Sequence, residues 1–129
     1  MELLKRIYIE ITNICNLNCS FCPPSPREKR MMTAREFEHI LLQFKPTGAQ
    51  AYFHVKGEPL LHPALVDFLS LAHQCKIAVN LTTNGTLLKH NSALLLNAPA
   101  LDPHLQEMVE LADRVFCIYN KAGCGEGSW

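Results

Sequence analysis

Strand-type and helix-type hydrophobic patterns alternate along this chain, and no other feature restricts its fold as much. Lys5 to Thr12 sets Ile7, Ile9 and Ile11 between more polar neighbours, the two-residue period of a strand with one buried face. A helix is expected from Thr33, because Thr33-Ala34-Arg35-Glu36 forms a capping box and Phe37, Ile40, Leu41 and Phe44 recur at i, i+3, i+4 and i+7. It ends before Lys45-Pro46-Thr47-Gly48. Ala51 to Val55 is a second strand-type run, and Ile77 to Leu81 a third. Between them a helix is expected from about Pro63, a residue tolerated in a first turn, with Leu65, Phe68, Leu69 and Ala72 on one stripe. This is βαβ grammar: an α/β fold whose sheet is parallel, whose crossovers are right-handed and whose ligands sit outside the carboxyl ends of the strands.

Past Thr86 the pattern loosens. Leu87, Leu88 and Leu94 to Leu96 read as helix, interrupted by Asn97-Ala98-Pro99. A further helix is expected from Pro103, a fourth strand over Val115 to Tyr119, and a frayed tail over Lys121 to Trp129.

Each of the first three strand-type runs ends in a chemically distinctive segment. After the first come Cys15, Cys19 and Cys22 at spacing C-x-x-x-C-x-x-C, followed by Pro23, Pro24 and Pro26, which forbid regular structure and stiffen the loop. The second ends in Lys56-Gly57-Glu58-Pro59 and the third in Thr82-Thr83-Asn84-Gly85. A cubane of four irons is ordinarily held by four cysteinates, so three clustered thiolates hold three irons and leave the fourth open to another ligand. Other uses of the cysteines stay open at this point. A structural zinc site wants four ligands, commonly in two pairs, and beyond Cys19 and Cys22 the chain offers a lone Cys75 and the more widely spaced Cys117 and Cys124. A redox dithiol on Cys19 and Cys22 leaves Cys15 without a role. A disulfide framework needs an oxidising compartment, whereas the chain opens Met-Glu-Leu-Leu-Lys-Arg with no secretory pattern, so a cytoplasmic, reducing location is expected.

The 129 residues bound the chain to one domain. Its 48% apolar and 19% charged residues suit a folded chain with a buried sheet. No apolar stretch approaches the roughly 20 residues of a membrane span. Twelve basic and twelve acidic residues cancel, which removes the footprint of general nucleic-acid binding. The locally basic stretch from Arg27 to Arg35 reads as a solvated loop. His54 and His62, either side of Gly57-Glu58-Pro59, read as packing residues, as do Cys75 and Cys117.

The segment Cys15-Asn16-Leu17-Asn18-Cys19-Ser20-Phe21-Cys22, placed after an amino-terminal strand, resembles the signature of the radical S-adenosylmethionine (SAM) superfamily. The resemblance covers residues 5–88 well and residues 89–120 poorly. It implies a partial (β/α) barrel of about three to four βα units of a TIM-like core, with Cys15, Cys19 and Cys22 ligating a 4Fe-4S cluster. SAM would chelate the open iron through its amino and carboxylate groups. It further implies that Phe21 lies against the adenine, that Gly57 and Glu58 belong to a Gly-Gly-Glu-Pro element holding the SAM amino group, and that Thr82 and Asn84 line the SAM pocket. Lys56 stands where that element has its first glycine, and a lysine still offers its carbonyl. The implied reaction is one-electron cleavage of SAM to a 5'-deoxyadenosyl radical, which takes a hydrogen atom from a substrate the sequence does not name. The implied electron donor is a flavodoxin or ferredoxin.

A barrel of eight βα units takes about 250 residues, so 129 residues hold about four, against the six usual in this superfamily. An internal deletion, a truncated frame or a fragment is therefore expected. Two further expectations follow: a second chain completing the barrel, or a non-catalytic remnant that binds the cluster. A zinc-binding structural module is a third reading, and an auxiliary cluster on Cys117 and Cys124 would appear as iron well above that of one cubane.

Overall fold

The computed structural model describes residues 5–96. Strand β1 (Arg6–Ile9) leads through a long loop to helix α1 (Ala34–Phe44), strand β2 (Gln50–Phe53), helix α2 (Leu65–Gln74), strand β3 (Val79–Leu81) and a short helix α3 (Ser92–Leu96). The three strands form one sheet in the order β1-β2-β3, parallel throughout, with Ile9 opposite Phe53 and Phe53 opposite Leu81. The α/β reading with a parallel sheet is correct. The expected helix from Pro103, the expected strand over Val115 to Tyr119, the tail, and Cys117 and Cys124 all lie outside the described residues.

The alternating residues of the strands carry the core. Ile9, Ala51, Phe53, Val79 and Leu81 are buried against Phe37 and Leu41 of α1 and Leu65, Phe68, Leu69 and Ala72 of α2. Phe37 stacks on Phe68 with ring centroids 4.3 Å apart and meets Phe53 edge-on at 5.5 Å, so one aromatic stack ties both helices to the middle strand. The opposite face of the sheet carries Tyr8 and Tyr52, 5.3 Å apart, with the Arg6 guanidinium 5.7 Å from the Tyr52 ring. Tyr8 is 53% exposed, so this face is open among the described residues. Parallel sheets cover both faces when complete, and here helices cover one.

The capping box at Thr33 forms as expected, with the Thr33 hydroxyl accepting from Glu36 N and the Glu36 carboxylate accepting from Thr33 N at 2.8 Å. Three boundaries differ from the sequence pattern, each for a local reason. Beyond Ile9 the chain leaves β2, and Thr12 instead bridges antiparallel to Met31, with Met32 N donating to Ile11 O at 2.8 Å. Helix α2 starts at Leu65 rather than Pro63, because the His62 ring accepts the Ala64 N–H at 3.0 Å and holds residues 62–64 in a turn. Ile77 belongs to a helix end and not to β3. Lys76 has φ +58°, Lys76 N donates to His73 O and Ile77 N to Ala72 O, both at 2.9 Å, which is a Schellman motif with a lysine in the left-handed position.

Candidate functional site

The loop that carries the cysteines is tied at its base by two buried polar residues. The Thr12 hydroxyl donates to Arg30 O and accepts from Ile14 N, each at 3.1 Å. Asn13 works both ends of its amide: Nδ2 donates to Glu28 O and Oδ1 accepts from Arg30 N, each at 2.8 Å. Four bonds from two adjacent side chains close residues 14–30 into a fixed loop, and none of these polar groups is left unpaired in the interior. Ion pairs of Arg27 with Glu10 at 2.7 Å and of Arg30 with Glu36 at 2.6 Å brace the outside of the loop. Both arginines are more than half exposed, so those pairs orient the loop more than they stabilise it. The Arg30 guanidinium nevertheless holds the Glu36 carboxyl down at about 2.

Inside the loop Cys22 N donates to Cys19 O at 3.1 Å, a tight turn that brings the last two cysteines round together. Cys15, Cys19 and Cys22 line one cavity, which Lys56 and Gly57 from the end of β2 also line. None of the three is in a disulfide. Donors point at their sulfurs: Leu17 N lies 3.5 Å and Asn84 Nδ2 3.6 Å from Cys15 Sγ, and Lys56 Nζ lies 3.5 Å from Cys22 Sγ. Hydrogen bonds to sulfur are among the levers that set a cluster's potential.

Gly57 has φ +82°, where a side chain is strained, and the space beside it is filled. A Cβ there would overlap the Thr12 carbonyl oxygen and lie 2.8 Å from its carbon and 3.0 Å from Asn13 Cα. The resemblance implies that Gly57 belongs to an element holding the SAM amino group. The structure shows that its bare face admits the base of the cysteine loop, while Glu58 N donates to Ile14 O at 2.8 Å across the same seam.

Glu58 is a buried carboxylate, 1% exposed. Its Oε1 accepts from Leu60 N at 3.0 Å and from Thr83 Oγ1 at 2.7 Å, and its Oε2 accepts from Asn84 N at 2.6 Å. Burial lifts its pKa above the ordinary glutamate value, and the three donors pull the other way without cancelling it. The side chain thus caps the turn at Pro59–Leu61 and also binds the end of β2 to the end of β3. Asn84 continues the chain of contacts, with Nδ2 donating to Asn16 Oδ1 at 2.9 Å and Oδ1 accepting from Thr86 N at 3.0 Å. Asn16 in turn donates to Thr86 Oγ1 at 2.9 Å.

The ends of all three strands therefore meet. Cys15, Cys19, Cys22 and Gly57 line the cavity, and Asn84 reaches Cys15 from the third strand end. Thr82 is exposed and its N–H closes the ladder on Phe53 O at 3.2 Å, whereas Thr83, one residue on, supplies the hydroxyl that Glu58 accepts. Phe21 is 70% exposed at the loop surface. His62 packs as expected: its Nδ1 accepts from Ala64 N, so Nε2 carries the proton toward Met32 O at 2.9 Å. His54 is exposed beside Tyr8. Sequence reasoning passed over Thr12, Asn13 and Asn16 as site builders. The available signal was Thr-Asn at a strand end just ahead of the first cysteine, where short polar side chains turn onto nearby backbone.

Among the described residues no three His, Cys, Asp or Glu side chains converge on a single ion. A cubane presents each thiolate to a different iron and needs the sulfurs spread around a cavity. The donor set here, three thiols around one cavity with N–H groups directed at Cys15 and Cys22, fits the cubane.

Fold and site together define an α/β protein built as part of a (β/α) barrel, with its candidate site at the carboxyl ends of the strands. Comparison with known proteins sharpens that class. The family model described as the radical SAM superfamily matches residues 9–121. The GTP 3',8-cyclase of Aquifex aeolicus is 31% identical over 103 residues, which cover 74% of this chain and 32% of the cyclase. SuiB of Streptococcus suis, solved with S-adenosylmethionine bound, superposes with TM-score 0.61 at 27% identity, over 77% of this chain and 24% of SuiB. BtrN, solved in complex with AdoMet, superposes with TM-score 0.69 over 76% of this chain and 43% of BtrN, and at 24% identity that likeness speaks for the fold. The chain belongs to the radical SAM superfamily, whose members use a 4Fe-4S cluster and SAM. It spans about a third of the length of the curated relatives it matches.

Proposed function

We propose that this chain is the cluster-holding and SAM-holding part of a radical SAM enzyme, acting on a substrate still to be identified. When bound, the cluster and SAM supply one-electron reductive cleavage of the cofactor followed by hydrogen abstraction from substrate. The protein's own part is ligation, positioning and exclusion of water. Cys15, Cys19 and Cys22 hold three irons. Gly57 and Glu58 present the turn at the end of β2 toward the SAM amino group, Asn84 and Thr82 line the cofactor from the end of β3, and Phe21 offers a ring to the adenine.

The observation that carries this reading is the single cavity lined by all three cysteines and Gly57, with Asn84 and Lys56 directed at the sulfurs. Buried Glu58 supports it, because a carboxylate fully occupied by donors from two strand ends fixes the turn rather than reacting. The proposal includes a flavodoxin or ferredoxin as electron donor, and a cytoplasmic location, in keeping with Cys15, Cys19, Cys22 and Cys75 standing outside any disulfide. Among the described residues no helix is long and apolar enough to cross a membrane. The proposal also includes a second chain completing the barrel; β1 and β3 are the edges of the sheet among the described residues.

The second reading is a chain that holds the cluster without turnover. Anaerobic reconstitution followed by SAM and dithionite separates the two. Release of 5'-deoxyadenosine establishes the enzyme, and an intact reduced cluster beside uncleaved SAM establishes the second reading.

A further inference from the structure

Lys56 stands where the superfamily's Gly-Gly-Glu-Pro element has a glycine, so its side chain is a feature of this chain. Its main-chain N–H is held by Glu10 Oε2 at 2.9 Å, and Glu10 is itself braced by Arg27. From that anchor the ammonium enters the cysteine cavity, lying 3.5 Å from Cys22 Sγ and bonding to the Pro23 carbonyl. The other cations around this loop are committed elsewhere: Arg27 to Glu10, Arg30 to Glu36, and Lys29 to Asn13 O at 3.3 Å. Lys56 is thus aimed at a sulfur that the proposed function makes an iron ligand.

We propose, resting on the cluster reading above, that Lys56 is a positioning residue that pins the Cys22-Pro23 turn and raises the reduction potential of the cluster. An electron added to a cluster increases its negative charge, so a cation against a ligand sulfur stabilises the reduced state more than the oxidised one. Lysine suits this geometry because its ammonium is a compact charge on a long stem, able to bond one sulfur and one carbonyl together. The partly exposed site screens the interaction, which places the effect at about tenfold in the reduced-to-oxidised ratio rather than many orders.

The test is a redox titration of the full chain after anaerobic reconstitution without SAM, followed by electron paramagnetic resonance of the reduced cluster. At the potential where the native cluster is half reduced, Lys56→Gln and Lys56→Gly should lower the ratio about tenfold, a fall of about 59 mV for a one-electron couple. Lys56→Arg should keep the ratio within about threefold of native, since it keeps the charge. An unchanged ratio in Lys56→Gln with its cluster intact overturns the proposal. If Lys56→Gln and Lys56→Gly assemble no cluster, assembly by Lys56→Arg supports the charge, and failure of Lys56→Arg as well overturns it. A native chain that takes up no iron and sulfide overturns the cluster reading itself, a result distinct from an unmoved potential.

Discussion

Glu58→Ala is the substitution whose consequence the geometry states most fully. The change removes the acceptor for Leu60 N, Asn84 N and Thr83 Oγ1, which lie 3.0, 2.6 and 2.7 Å from the carboxylate. The Thr83 hydroxyl can rotate to water or to another acceptor. The two backbone N–H groups cannot, and a buried donor left unsatisfied costs about 1–3 kcal/mol. Two of them give about 2–6 kcal/mol, reduced by relief of the carboxylate's own desolvation, so a net loss of about 3 kcal/mol is expected. Urea unfolding followed by circular dichroism measures it, with m unchanged if the native state is otherwise intact. The pH dependence gives a second check. Burial raises the Glu58 pKa, so its contribution is fully present below the ordinary glutamate value of 4.5 and declines as pH rises through the folded value. The loss caused by Glu58→Ala is therefore larger near that lower limit than at neutral pH. A loss below about 1 kcal/mol, or one that grows as pH rises, refutes the assignment of Glu58 as the tie between the second and third strand ends.

Gly57→Ala combines a left-handed φ of +82° with overlap against the Thr12 carbonyl. The backbone term alone is about 1–2 kcal/mol, so thermal denaturation should show at least that loss, and a neutral substitution contradicts the packing described. Lys76→Gly should act in the opposite sense. Lys76 occupies the left-handed position of a Schellman motif at φ +58° and is exposed, so glycine there should stabilise the chain by about 0.5–1 kcal/mol in the same measurement.

What could be read in the sequence and what could not divide along physical lines. Hydrophobic period and capping chemistry are local, and they located α1 through Thr33 and Glu36 and the core stripe Leu65, Phe68, Leu69, Ala72. The cysteine spacing and the strand-end placement of Gly57-Glu58 and Thr83-Asn84 were equally plain, because each lies within a few residues. Strand limits were less legible. Ile77 has the composition of a strand residue, yet its N–H is claimed by the end of α2, and Thr12 has the composition of β1 but pairs with Met31 across the cysteine loop. Contacts between strand ends were not legible at all. That Gly57 seats against Thr12, or that Thr83 rather than Thr82 meets Glu58, depends on how three strands stack in register, information that no single segment carries.

In the proposed function Cys15, Cys19 and Cys22 together hold one cubane. Iron, sulfide and electron paramagnetic resonance of the dithionite-reduced chain, purified anaerobically and compared with Cys15→Ser, Cys19→Ser and Cys22→Ser, test it most directly. The expected result is one 4Fe-4S cluster per chain with a reduced-state signal, lost in each of the three variants. A native chain that stays colourless and silent after iron and sulfide are supplied, or a cluster that survives all three substitutions, contradicts it.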